Sequence, residues 1–177
     1  MGYGQLSAAQ STALSIYVRG RVVHDLGAGD LDLSRKLIKL GARRVHAVDK
    51  LEKFYYASKL EADLSYKSCY FHELPDTPMD VLFMSWPVNY EANLLPHVLR
   101  AGMVIYLGKN TDGSACGTPG LFEVMLRRKL HAYVPARKNS LVITGAYLDC
   151  PREPAGEERA GLHSQSEFFS FENAEAY

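Results

Sequence analysis

The residues Arg21 to Lys50 read RVVHDLGAGDLDLSRKLIKLGARRVHAVDK, and this stretch decides the fold. Val22 and Val23 open a short apolar run that closes in Asp25. A Gly-Ala-Gly turn follows at Gly27 to Gly29, then a segment of helical period with Leu33, Leu37 and Leu40 on one face. Gly41 stands where a helix C-terminus wants a residue at positive φ. Val45 to Val48 form a second apolar run that Asp49 closes. Strand, glycine turn, helix and strand within about thirty residues make one βαβ unit of the nucleotide-binding kind. The glycines let the backbone turn sharply and admit a ligand at the strand end, where a Cβ would obstruct it. Asp49 lies twenty residues beyond Gly29, a spacing that suits an acid bonding the hydroxyls of an adenosine ribose.

The turn also says which nucleotide it does not suit. A dinucleotide fingerprint requires a glycine three residues after Gly29, where Asp32 stands. A pyrophosphate would sit on the N-terminus of the following helix, and that end carries Asp30 and Asp32. Each carboxylate at ~4 Å from a phosphate costs a few kcal/mol at an effective dielectric of about 20. S-adenosylmethionine carries an adenosine, a sulfonium and an ammonium but no phosphate, so it escapes this repulsion. The residues D-L-G-A-G-D-L at Asp25 to Leu31, with A-V-D at Ala47 to Asp49, resemble the first two motifs of the class I S-adenosylmethionine-dependent methyltransferases. The resemblance spans residues 20–150. It departs at Leu31, where that family usually has a third glycine.

The resemblance implies a cofactor site and a reactive site. Asp25, Gly27 and Gly29 would line the methionine end of the cofactor, and Asp49 would hold its ribose. Lys50, just past that acid, would flank the adenine. The residue after the third strand often bonds the adenine amino group, and His72 and Glu73 both stand in that region. At the end of the fourth strand, amino-group methyltransferases of this family have an acid, amide or serine, then Pro-Pro and an aromatic. Ser85-Trp86-Pro87 follows that order in part, with Trp86 in place of the first proline and Val88 in place of the aromatic. Ser85, Trp86 and Pro87 are therefore the candidate catalytic residues. A hydroxyl there can accept a bond from an amine and aim its lone pair, and an aromatic can stack on a planar acceptor.

Length and composition bound the rest. At 177 residues, 47% hydrophobic and 23% charged, the chain reads as one soluble globular domain. No apolar run approaches the ~20 residues of a membrane span, and the first residues lack a secretion signal. Cys69, Cys116 and Cys150 share no C-x-x-C spacing, which suggests reduced thiols in the cytoplasm and no zinc site. Residues 1–150 carry 18 Lys and Arg against 14 Asp and Glu, whereas residues 151–177 carry 2 against 6. The first segment is expected to be the single methyltransferase-like domain, the second an acidic, flexible tail. This balance is no nucleic-acid signature, yet leaves a nucleic-acid partner open.

The fold class expected is α/β: a Rossmann-like, seven-stranded, mostly parallel sheet with the last strand antiparallel and helices on both faces. Strands are expected near Val22, Val45, Cys69 to Phe71, Val81, Met103, Ala132 and Val142. Helices are expected over Ala8–Val18, behind a Ser7/Gln10 capping box; over Leu51–Leu60; over Tyr90–Leu99, interrupted by Pro96; and from Thr118 to Lys129. Methyl transfer to an acceptor, whether small molecule, protein or RNA, is the function this implies. Two other readings stay open: a non-catalytic S-adenosylmethionine-binding protein acting through association, and an NAD-dependent oxidoreductase. The acceptor and the oligomeric state are beyond the sequence.

Overall fold

A computed structural model describes residues 5–50, 61–87, 91–109 and 119–147. The described elements are α1 (Ala8–Val18), β1 (Val22–Leu26), α2 (Asp32–Lys39), β2 (Arg44–Asp49), β3 (Leu64–Ser68), β4 (Met79–Ser85), α3 (Glu91–Arg100), β5 (Ala101–Gly108), α4 (Pro119–Leu126), β6 (Arg128–Pro135) and β7 (Ser140–Tyr147). The seven strands form one sheet in the order β3-β2-β1-β4-β5-β7-β6. β7 pairs antiparallel with both β5 and β6, and the remaining pairs are parallel. This is the sheet expected from the sequence.

Period-two alternation divides the core between the two faces. Val23, Val45, Ala47, Val81, Phe83 and Ile105 pack with Leu14 and Val18 of α1 and Leu33 and Leu37 of α2. Leu26, Val48, Leu82, Met84 and Val104 pack on the opposite side with Leu94 and Val98 of α3 and Leu121 and Met125 of α4. Central strands buried on both faces read as unbroken apolar runs, which is why β4 and β5 are plain in the sequence.

α1 begins where its capping box puts it. Ser7 Oγ accepts from the Gln10 amide at 3.2 Å, and Gln10 Oε1 accepts from the Ser7 amide at 3.1 Å. The same Gln10 is fully buried, and its Nε2 donates to Val134 O and Asn139 Oδ1, which pins α1 to the β6–β7 hairpin.

Three expectations need correction. The third strand is Leu64–Ser68, not Cys69–Phe71. It lies at the sheet edge, and Leu64 is its only fully buried residue, so it lacks an apolar signature. Cys69 to Phe71 lead instead into a single 3₁₀ turn, Phe71–Glu73, within a ten-residue connector to β4. Pro96 does not interrupt α3, which runs unbroken from Glu91 to Arg100. α4 ends at Leu126, not Lys129, because Arg128 and Lys129 belong to β6. Arg128 opens β6, is 2% exposed, and donates to Val98 O, Ala101 O and Gly102 O at 3.0, 2.6 and 3.2 Å. It therefore ties the last turn of α3, through Val98 O, to the start of β5, through Ala101 O and Gly102 O. Arg128→Ala is expected to cost about 3 kcal/mol, because two buried carbonyls and the part-buried Gly102 O lose this donor. A shift of the urea midpoint worth under about 1 kcal/mol would show that water replaces the guanidinium. The expected helix over 51–60, Thr118 and the acidic tail lie outside the described residues.

Candidate functional site

In an open parallel sheet, ligands bind beyond the carboxyl ends of the strands where the strand order reverses. Here β1 feeds β2 on one side and abuts β4 on the other, so the reversal lies between β1 and β4. A cavity of about 310 Å³ opens at that point, within the range of small-molecule sites. Leu26 and Gly27 of the β1 end, Asp49 and Lys50 of the β2 end, and Cys69 to His72 of the connector line it. Ser85, Trp86 and Pro87 at the β4 end and Leu94 of α3 complete the wall.

The glycine turn is tied to the second strand. Gly27 and Ala28 donate to Val48 O at 2.8 and 3.1 Å, and the Gly29 amide donates to Asp49 Oδ2 at 2.9 Å. Gly27 has φ 85° and Gly29 φ 54°. A Cβ on Gly29 would meet nothing within 4 Å, so within the chain its requirement is conformational, not one of space. Leu31, the position of the expected third glycine, has φ 65° and ψ 6° with its side chain fully buried. The backbone there takes the conformation a glycine favours, and leucine burial offsets about 1–2 kcal/mol of left-handed strain. Leu31→Ala removes the burial and keeps the strain, at about 3 kcal/mol. Leu31→Gly removes both, so it is expected to be at least as stable as the alanine variant. A lower urea midpoint for glycine than for alanine would contradict this.

Asp25 is 0% exposed and faces α2, where Ser34 Oγ donates to its Oδ2 at 2.5 Å. Its Oδ1 is buried and has no hydrogen-bond partner among the described residues. Burial pushes the carboxyl from 3.8 up to about 7, with the Ser34 bond opposing that rise and the Asp49 charge adding to it. Asp25 is thus beneath the turn and off the cavity wall, as are Gly29 and Glu73. The Glu73 carboxylate accepts from the Tyr70 amide at 2.7 Å and so closes its own turn. His72 is the member of that pair on the wall, with its ring stacked at 5.5 Å and 19° on Tyr70.

Trp86 leaves β4 with φ 49°, a left-handed conformation for a bulky residue that also precedes a proline. Its amide donates to Leu107 O at 2.7 Å. Such a backbone costs of order 1–3 kcal/mol and persists at sites that use it. The half-buried ring of Trp86 lines the cavity beside Ser85 and Pro87. Val88 and residues 110–118 lie outside the described residues.

The cavity also contains residues for which sequence gave no role. Cys69, Tyr70 and Phe71 were masked by the strand expectation, and Leu94 enters from a helix. His97, 3% exposed, donates from Nε2 to Phe71 O at 2.9 Å. Among the described residues, no three His, Cys, Asp or Glu side chains are grouped to hold a metal ion.

At the N-terminus of α2, the Asp32 amide donates to Asp30 Oδ1 at 3.2 Å. An anion would meet a carboxylate already bonded there. The donor set suits a cofactor without phosphate.

Comparison with solved structures agrees on the architecture. An S-adenosylmethionine-dependent methyltransferase from Mesorhizobium loti superposes with a TM-score of 0.60 over 81% of this chain and 100% of its own, at 14% identity. The N-methyltransferase NodS from Bradyrhizobium japonicum superposes with a TM-score of 0.61 over 79% and 94%, at 10% identity. The ribosomal protein L11 methylase from Lactobacillus delbrueckii gives 0.54 over 78% and 80%, at 19% identity. No protein-family model and no curated protein sequence matches the chain. The chain therefore has the Rossmann-like fold of the class I S-adenosylmethionine-dependent methyltransferases. No helix among the described residues is long and apolar enough to cross a membrane.

Proposed function

We propose that this chain binds S-adenosylmethionine in the cavity beyond β1 and β2 and transfers its methyl group to an acceptor. One observation carries the reading: Asp49 ends β2 on the cavity wall while its Oδ2 holds the Gly29 amide of the glycine turn. A carboxylate at that strand end can accept more than one donor, which supports a role for Asp49 with ribose hydroxyls, beside a helix end whose own acids oppose phosphate. The neighbours of the same fold include enzymes named for RNA, protein and nitrogen methylation, which supports the reaction class and leaves the acceptor open.

The roles divide by strand end. Asp49 receives the ribose hydroxyls, and Lys50 and His72 border the adenine. Phe71, whose ring tip would lie 3.9 Å from a Cβ on Gly27, closes the cavity from the connector side. S-adenosylmethionine, when bound, supplies an electrophilic methyl carbon on a sulfonium. Ser85 and Trp86 then hold the acceptor with its lone pair ~3–3.5 Å from that carbon, so the rate comes from proximity and orientation. Pro87 stiffens the segment that presents them. Asp25 acts below the turn as a neutral or ionised partner of Ser34, not as a wall residue.

A non-catalytic binding role is the second reading, favoured by Trp86 in place of the first proline of the strand-four motif. Incubating the protein with radiolabelled donor and cell extract separates the two. Label entering RNA, protein or small molecules supports transfer. Cofactor binding without label in any acceptor pool supports the alternative.

A further inference from the structure

We infer that His97 is a positioning residue that sets the cavity wall by holding the connector's turn from α3. The inference rests on the cofactor reading for its ligand, and on geometry alone for its mechanics. The connector between β3 and β4 spans residues 69–78 and has one 3₁₀ turn in place of a helix. That turn carries Phe71 and His72, two wall residues. Its own bonds are local: Glu73 closes on the Tyr70 amide, and Leu74 donates to Phe71 O. Two residues before it, Cys69 donates to Asp49 O. These bonds shape the turn and join its start to β2. They do not fix its distance from α3.

Two polar links run from α3 to the connector: Arg100 pairs with Asp76 beyond the turn, and His97 bonds the turn itself. A carbonyl cannot donate, so the 2.9 Å contact between Nε2 and Phe71 O requires the proton on Nε2. Nδ1 is buried and has no hydrogen-bond partner among the described residues. The Phe71 ring reaches over Gly27, 3.9 Å from where a Cβ would be. His97 thus fixes the Phe71 backbone, and Phe71 fixes the gap between connector and glycine turn. A loosened turn would let Phe71 and His72 drift, and a shift of ~1 Å in a positioning group is enough to impair a site.

Three forms of the full-length chain test this: the unaltered protein, His97→Gln and His97→Leu. Glutamine can donate from its Nε2, whereas leucine fills the space without a donor. Affinity for S-adenosylhomocysteine is measured by calorimetry, and amide hydrogen exchange over residues 70–74 is measured without ligand. Leucine is expected to weaken binding about tenfold and to speed exchange of that segment five- to tenfold. Glutamine is expected to stay within threefold on both. Equal losses for glutamine and leucine would overturn the inference, because ring packing and not the donor would then matter. So would a leucine variant within twofold of the unaltered protein on both readouts. If the unaltered protein fails to bind S-adenosylhomocysteine, the cofactor reading fails separately, and the exchange data alone decide the role of His97.

Discussion

Asp49→Ala is expected to weaken S-adenosylhomocysteine binding on the order of a hundredfold while the chain stays folded. Hydrogen bonds to a charged acceptor contribute about 1.5–3 kcal/mol each, and about 3 kcal/mol is a factor of a hundred or more. The substitution has a second effect, because Oδ2 also holds the Gly29 amide at 2.9 Å. Losing that bond costs about 1 kcal/mol of stability, worth a few degrees in Tm. Asp49→Asn separates the two. Its Oδ1 can still accept from Gly29 and keep the Tm, but the charge that holds the ribose is gone. Alanine binding within twofold of the unaltered protein would refute the ribose assignment. A weakened alanine variant beside a fully competent asparagine variant would assign the effect to the turn.

Asp25→Asn is expected to stabilise the chain at pH 8 by up to about 4 kcal/mol and to change little near pH 4. The carboxyl titrates near 3.8 in an ordinary setting and at about 7 in the fold, chiefly through burial. The folded state therefore keeps a proton that the unfolded chain releases. The stability from that proton is full below pH 3.8, falls by up to about 1.4 kcal/mol per pH unit between 3.8 and 7, and is gone above 7. Asparagine is neutral throughout and still accepts from Ser34 Oγ, so its stability should be flatter over that window. Urea unfolding at pH 5 and pH 8 measures the difference. An equal effect of the substitution at both values would contradict a buried, proton-retaining Asp25.

Much of the frame was legible because burial and period coincide. The stretch Arg21 to Lys50 gave β1, the glycine turn, α2 and β2, and Gly41 takes φ 101° just beyond α2. Ser7 and Gln10 fixed the start of α1 through a local bond pair. β4 and β5 are buried on both faces and read as apolar runs. The errors have physical causes. β3 is an edge strand with a largely exposed sequence, LSYKS, so the β-prone Cys69-Tyr70-Phe71 drew the assignment. Arg128 lies two residues past α4 in sequence, yet it bonds the end of α3 and the start of β5, 26 to 30 residues away. No local pattern carries such a partner.

The site was legible at its strand ends and not between them. Gly27, Asp49, Lys50, His72, Ser85, Trp86 and Pro87 converge on the cavity, each at or just beyond the end of a strand or on the connector that follows one. Asp25 and Gly29 belong to the same motif but are off the wall: Asp25 alternates with Leu26 and turns to Ser34 of α2, and Gly29 spends its amide on Asp49. Leu94 of α3 reaches the wall, and His97 of the same helix bonds Phe71 O off the wall, only because that helix packs on the connector. Leu31 shows the reverse case. It departs from the motif in residue type while keeping the left-handed backbone that a glycine would adopt.

The most direct test is calorimetric titration of the purified protein with S-adenosylhomocysteine, with NAD in parallel. Micromolar binding of S-adenosylhomocysteine and none of NAD is the predicted result, given Asp49 on the wall and Asp30 with Asp32 at the α2 N-terminus. Binding of NAD without S-adenosylhomocysteine would contradict it, since a diphosphate would then be held against two carboxylates.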